Sequence, residues 1–284
     1  MKISGKTKPY AVLGHPIGHT LSPVMHMAAY EALGMDAVYL ALDVAPDKLM
    51  QVLPAMKAMG FGGANLTVPL KEIAFRGLEH LDESAKQAGA VNTVSFRDEA
   101  IVGYNTDGDG LLRALREAFG TGAGGLSVFV LGTGGAGRAA ALSCARDGAK
   151  AVTLFDLDRV RSERVAGEIR TAAKGITVSV LNEAPEAGAR AADLIIQATP
   201  VGMKPGEAAP LKPDAFRKGQ FVYDLIYMYP ETLLLMAARK AGAKTANGLG
   251  MLLHQGAAAF EIWTGVKPPV KVMRKALENE VYHA

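Results

Sequence analysis

The sequence predicts an α/β protein of two domains, and two observations predict it. Residues 126–140 read LSVFVLGTGGAGRAA, an apolar run, a glycine-rich turn and an alanine-rich stretch. That order describes a buried strand passing through a tight turn into a helix. Strand-like and helix-like stretches also alternate on both sides of it, the pattern of sheets covered by helices. The glycines Gly132, Gly134 and Gly137 have the spacing G-x-G-x-x-G. In a doubly wound sheet the first permits the turn, the second lets backbone approach a pyrophosphate, and the third lets helix and strand pack closely. The helix N-terminus adds N–H groups and a positive dipole end. A second strand, 151–155, ends at Asp156, where an acidic partner for a ribose diol is expected. Residues 107–247 therefore read as a Rossmann-type dinucleotide-binding domain.

The first domain, 1–106, carries no phosphate fingerprint. Strands are expected at 10–13, 37–42 and 64–67, and a hairpin at 91–96 with 101–102. Helices are expected at 22–33, capped by Ser22 with Pro23 in its first turn, at 46–59, from Pro69, and at 82–88. Asp107 opens a helix running to Phe119, and TGAGG (121–125) follows as a linker. In the second domain further strands are expected at 177–181, 194–197 and 221–225. The tail, 248–284, is helical, at 251–264 and 268–282. Two helices are too little for a domain, so they are expected to pack back on the first.

With 284 residues, 49% hydrophobic and 21% charged, the chain has enough apolar sequence for two cores. A net charge of +3, with no basic run interleaved with aromatics, argues against nucleic acid. No apolar stretch is long enough to span a bilayer, and the first residues, MKISGKTKPY, lack an apolar leader core. A cytoplasmic protein without a membrane partner is expected. The single cysteine, Cys144, excludes an internal disulfide and lies in the apolar helix after the glycine turn, as a structural thiol. His15, His19 and His26 fall close together, but Pro16 and Gly18 interrupt any helix joining them and no Cys or carboxylate completes a ligand set. No metal is expected.

Several motifs carry chemistry or packing. Thr20 and Ser22 place two hydroxyls at a helix start, either a cap or a nest for a carboxylate. NLTVPLK (65–71) puts Lys71 in the first turn of a helix, against the positive dipole end, a placement that suits an acid–base group or a solvated surface lysine. YNTDGDG (104–110) puts Asp107 at a helix start, as a cap or as a partner for such a lysine. ATPVGM (198–203) follows a strand of the second sheet, at the carboxyl-end crevice where a nicotinamide lies. His254, Phe260 and Trp263 read as packing residues.

Together the stretches GHPIGHTLSP, NLTVPLK, GAVNT, YNTDGDG, LGTGGAG, ATPVGM, DLIYMYP and NGLGMLLHQGAAAFEIWTG resemble, in order and across nearly the whole chain, the shikimate/quinate dehydrogenase family. The resemblance implies reversible hydride transfer between shikimate and a nicotinamide cofactor, NAD or NADP, in a cleft between two α/β domains. It places the pathway in aromatic amino acid and chorismate biosynthesis. It implies a catalytic pair, Lys71 and Asp107. Asn65, Thr67, Asn92 and Gln255 become substrate ligands, with Thr20, Ser22 and Tyr227 at the carboxylate end. Gly132, Thr133, Gly134, Gly135, Ala136, Gly137 and Arg138 hold the pyrophosphate, Asp156 the ribose, and Thr199, Met203 and Gly248 border the nicotinamide. The chain is expected as a monomer or homodimer.

Two departures from the family pattern matter. The usual Ser-x-Ser is Thr20-Leu21-Ser22, and the Asn-Arg-Thr of NADP users is Asp156-Leu157-Asp158. The second favours NAD. Alternatives are an NAD-dependent quinate/shikimate enzyme of quinate catabolism, a non-catalytic dinucleotide sensor on the same fold, and another oxidoreductase with a similar cofactor domain. The intact Lys71 and Asp107 argue against the sensor.

Overall fold

A computed structural model describes residues 3–97, 100–204 and 206–283. The chain divides into two compact units, Met1–Thr106 with Leu253–Ala284, and Asp107–Leu252.

The first unit is built in order from β1 (Lys8–Gly14), α1 (Ser22–Ala32), β2 (Ala37–Asp43), α2 (Leu49–Ala58), β3 (Gly63–Leu66), α3 (Leu70–Gly77), β4 (His80–Leu81), α4 (Glu83–Ala88), β5 (Thr93–Phe96) and β6 (Ile101–Tyr104). Its six strands lie in the order β2-β1-β3-β5-β6-β4. β1 runs parallel to β2 and β3, while β5 is antiparallel to both β3 and β6. One apolar core gathers Leu13, Leu49, Leu53, Met56, Leu66 and Leu70, all essentially water-free. An aromatic cluster forms a second, where the His26 ring stacks on Tyr39 at 4.3 Å and Tyr10 lies 5.3 Å from Trp263.

The second unit contains α5 (Asp107–Phe119), β7 (Ser127–Leu131), α6 (Gly135–Arg146), β8 (Ala151–Phe155), α7 (Arg159–Ala172), β9 (Thr177–Val180), α8 (Pro185–Ala191), β10 (Leu194–Gln197), β11 (Phe221–Asp224), α9 (Leu233–Lys240) and β12 (Lys244–Ala246). The strand order is β12-β11-β10-β7-β8-β9, and every pair is parallel. This is the doubly wound Rossmann order, whose two halves diverge between β7 and β10. Ligands bind such sheets outside the carboxyl ends of the strands at that divergence. Cys144 is buried in α6, and the absence of water pushes its thiol up to about 12.

The remaining helices are α10 (Leu249–Thr264) and α11 (Val270–Tyr282). From Leu253 onward they belong to the first unit, where the Trp263 indole Nε1 donates to the Val94 carbonyl at 3.0 Å.

Some elements differ from the sequence expectation. Ser22 is the first residue of α1 rather than its cap; Leu21 occupies the cap position, with φ −98° and ψ 0°. The stretch expected as one helix at 46–59 opens as a 3₁₀ turn, Pro46–Lys48, before α2 begins. β4 and β12, two and three residues long, were not expected at all, because such short strands show no periodicity. Among the described residues, no helix is long and apolar enough to cross a membrane.

Candidate functional site

In the first unit a buried polar network grows from strand pairing. β3 and β5 set Asn65 opposite Thr93. The Asn65 amide donates to Thr93 Oγ1 at 3.0 Å and to the Asn92 carbonyl at 3.1 Å. Thr93 Oγ1 donates in turn to Asn92 Oδ1 at 2.9 Å, which also accepts from the Thr106 N–H at 2.8 Å. Asn92 Nδ2 donates to Thr106 Oγ1 at 2.8 Å and to Gln255 Oε1 on α10 at 3.4 Å. Each of these side chains is at most a tenth exposed. Buried amides and hydroxyls are costly unless paired, so the mutual bonding fixes which face of each amide donates and which accepts.

Tyr39 joins a third motif to this network. Its hydroxyl donates to Asn65 Oδ1 at 2.7 Å and hydrogen-bonds the Ser22 side chain, while burial raises its pKa well above the ordinary phenol value. Thr20 Oγ1 accepts from the Ser22 N–H at 3.3 Å. Lys71 stands in the first turn of α3, and its carbonyl accepts from the Val91 N–H. Thr67 N–H donates to the Leu13 carbonyl, which holds the NLTVPLK loop on the end of β1. The structure therefore brings Ser22, Asn65, Asn92 and Gln255 into one network. Sequence reasoning missed Tyr39, Thr93 and Thr106. Thr93 and Thr106 stand beside residues it chose, in GAVNT and YNTDGDG, whereas Tyr39 lies inside a strand with no local mark.

In the second unit the three glycines of the fingerprint stand in different surroundings. Gly132 has φ +91°, open to glycine at no steric cost. A methyl on Gly137 would stand 1.9 Å from the Gly132 carbonyl oxygen, so only glycine lets α6 approach the end of β7. A methyl on Gly134 or Gly135 would meet nothing within 4 Å. The concave backbone there is open, as a pyrophosphate requires, and the first N–H groups of α6 lack intrahelical partners. The loop fits a dinucleotide. Arg138, expected on the pyrophosphate, directs its Nε to Glu168 Oε2 at 2.6 Å.

Asp156, just past β8, is heavily committed. Its Oδ2 accepts from the Thr133 N–H at 2.6 Å and from Thr133 Oγ1 at 3.0 Å, and its Oδ1 accepts from the Asp158 N–H at 2.9 Å. Partial burial works against its charge, but these bonds and the Arg161 guanidinium hold the carboxyl below the usual carboxylate range. Arg161 lies 3.7 Å from Asp156 and 3.2 Å from Asp158. Leu157 is 97% exposed.

The other expected cofactor loops are tied together. Gln197, buried at the end of β10, donates to the carbonyls of Thr199 and Val201 and accepts from the Thr199 N–H at 2.6 Å. The Tyr229 hydroxyl donates to the Met203 carbonyl at 2.6 Å. Gly248 donates to the Ile226 carbonyl, and a methyl there would stand 2.2 Å from the Leu225 oxygen. Tyr227 lies in the same loop, its hydroxyl pKa raised by burial. Asp224 anchors that loop from below: its Oδ2 accepts from Thr232 Oγ1 at 2.7 Å and its Oδ1 from the Ile226 N–H at 3.1 Å. Burial raises its pKa to about 6 against those two bonds. Asp107 is the first residue of α5 and is buried. Among the described residues, no group of three or more His, Cys, Asp or Glu is placed to hold a metal ion.

These features define a class: a Rossmann-type α/β protein with a second α/β unit that carries a buried amide and hydroxyl network. Comparison with known proteins narrows it. Residues 12–94 match the family model of the shikimate dehydrogenase substrate binding domain, and residues 248–278 that of the shikimate 5'-dehydrogenase C-terminal domain. A shikimate dehydrogenase (NADP(+)) of Moorella thermoacetica is 45% identical over 98% of this chain and 95% of its own. One of Methanopyrus kandleri, with the same name, is 41% identical over 98% of this chain and 97% of its own. A crystal structure of a shikimate dehydrogenase in complex with NADP+ superposes with a TM-score of 0.91 at 40% identity, covering 99% of this chain and 98% of that one. The Listeria monocytogenes shikimate 5-dehydrogenase, in complex with shikimate and NAD, gives 0.89 at 36% identity, covering 98% of each chain. The chain belongs to the shikimate dehydrogenase family.

Proposed function

We propose that this chain is a nicotinamide-dependent shikimate dehydrogenase that interconverts shikimate and 3-dehydroshikimate, a step of aromatic amino acid biosynthesis. The observation that carries the reading is the network of Asn65, Asn92, Thr93, Thr106 and Gln255 in the first unit. Paired neutral amides and hydroxyls suit a ring bearing several hydroxyls, since each ring hydroxyl needs a fixed donor or acceptor. Thr67 joins them as a ligand. Thr20, Ser22 and Tyr227 take the carboxylate.

In the oxidative direction Lys71 accepts the proton of the reacting hydroxyl at Nζ. Asp107 orients that ammonium and binds a ring hydroxyl. The nicotinamide supplies the acceptor for the hydride that leaves the same carbon. Residues 132–137 carry the pyrophosphate, and Thr199, Met203 and Gly248 border the nicotinamide.

For the cofactor, the residues favour NAD, although the relatives above are named for NADP(+). A 2′-phosphate would face the Asp156 carboxylate, where family NADP users present arginine and this chain presents Leu157. Arg161, the nearest cation to Asp156, is already shared between Asp156 and Asp158. Two unit charges ~4 Å apart repel by about 4 kcal/mol at an effective dielectric of 20. After solvent screening, roughly 1.5–3 kcal/mol remains, about a tenfold to hundredfold preference.

Initial rates with shikimate and with quinate, each with NAD and NADP, test the reading. The highest kcat/KM is expected for shikimate with NAD. A higher value for quinate would move the enzyme to quinate catabolism. Absence of turnover with all four pairs would leave a binding protein on an enzyme fold.

A further inference from the structure

The glycine loop and the ribose position are coupled by one side chain that neither needs for its own shape. Thr133 is the residue between the first two glycines of the fingerprint, 1% exposed. Its backbone N–H alone would hold Asp156 Oδ2, at 2.6 Å. The hydroxyl adds a second bond to the same oxygen at 3.0 Å, and Ser162 Oγ, fully buried on α7, lies 3.2 Å behind it. With the Asp158 N–H on Oδ1, three donors hold one carboxylate.

The consequence is steric and electrostatic at once. A carboxylate offers about four acceptor positions. Three are filled from within the chain, so a ribose finds one, on Oδ1. The group cannot rotate to hide its charge without breaking the two Thr133 bonds. An incoming hydroxyl meets a pre-aimed acceptor. An incoming phosphate meets a fixed negative charge whose nearby cation, Arg161, is bound to Asp156 and Asp158.

We propose that Thr133 is a specificity-determining positioning residue: its hydroxyl, backed by Ser162, locks Asp156 and so sets how strongly the site distinguishes a ribose 2′-hydroxyl from a 2′-phosphate. The Thr133 side chain then acts on the adenosine end of the cofactor, while the loop around it carries the pyrophosphate. The proposal rests on the NAD preference argued above.

The test is binding without turnover. NADH and NADPH are titrated against the protein, without shikimate, by nicotinamide fluorescence. Thr133→Val keeps the shape and the backbone N–H and removes the hydroxyl; Thr133→Ser keeps the hydroxyl. The ratio of Kd for NADPH to Kd for NADH is expected to fall by about three- to tenfold in Thr133→Val, as a charge-assisted bond is lost. Thr133→Ser is expected within about twofold of the parent, because it retains that bond. An unchanged ratio in a folded Thr133→Val protein overturns the role of Thr133 alone. A fall of the same size in Thr133→Ser also overturns it, since packing rather than the hydroxyl would then be at work. A parent that binds NADPH more tightly than NADH overturns the cofactor reading beneath it.

Discussion

In the first unit the candidate site is made of neutral groups bonded to each other, Asn65, Asn92, Thr93, Thr106 and Gln255, with Tyr39 closing the network onto Ser22. In the second it is made of open backbone, at Gly134 and Gly135, beside fixed charges, Asp156, Asp158 and Arg161. A neutral network selects by geometry, because a ligand lacking one hydroxyl leaves a buried partner unpaired. A charged rim selects by sign and responds to salt. The two units also carry opposite pH liabilities. His26, fully buried and without a hydrogen-bond partner among the described residues, has its pKa pushed by burial down to about 3. Burial raises the Asp224 carboxyl to about 6.

The largest effect is expected at the proposed proton acceptor. Lys71→Ala should lower kcat by roughly 10²–10⁴-fold, the range for a positioned acid–base group, with a much smaller change in KM. Near-normal turnover in that variant would remove Lys71 from the chemistry.

The glycines break the second site in two separable ways. Gly137→Ala places a methyl 1.9 Å from a backbone oxygen, which cannot move aside, and should lower the melting temperature. Gly134→Ala meets no neighbour and has φ −63°, so the protein should melt normally. Its methyl would stand in the way of the pyrophosphate at the proposed site, costing about 1–3 kcal/mol. Dinucleotide Kd should then rise roughly 5- to 150-fold. Calorimetry and titration of both variants read the two effects apart; equal behaviour would contradict the division of roles.

The pH liabilities sharpen the contrast between units. His26 has a folded pKa below its unfolded value near 6.5, so the unfolded chain binds the extra proton. Stability is present at neutral pH and is lost as pH falls below ~6.5, by roughly 3 kcal/mol at pH 4. His26→Phe, which keeps the ring stacked on Tyr39, should remove that loss. Asp224 has a folded pKa above its unfolded value near 3.9. Its stabilising contribution is complete below ~3.9 and disappears as pH rises through about 6, a difference of roughly 2–3 kcal/mol. Asp224→Asn preserves an acceptor for the Ile226 N–H and should gain stability over the parent from pH 5 to 7.5. Denaturant unfolding of both variants across that range checks the opposite signs.

Much of this was legible in the chain. The glycine spacing, the strand before it and Asp156 after the next strand specify the Rossmann half, because each has a local physical cause. What was not legible depends on long-range pairing. Asn65 reaches Tyr39 across 26 residues and Thr93 across 28, so sequence gave no sign that Ser22, Asn65 and Asn92 share bonds. Thr133 reads as a phosphate-loop residue in sequence, and its hydroxyl turns out to face Asp156. Ser22 looked like a helix cap because its side chain suits one, yet the backbone turns one residue earlier, at Leu21.

The most direct measurement of the contrast is the salt dependence of cofactor choice. With shikimate as substrate, kcat/KM for NAD and for NADP is measured from low to high ionic strength. Asp156 is 13% exposed at its side chain, so added salt screens it only in part. NAD should be favoured about tenfold or more at low salt, and the preference should shrink as salt rises. Preference for NADP at low salt, weakening as salt rises, would show that Arg161 outweighs Asp156 and would contradict the account.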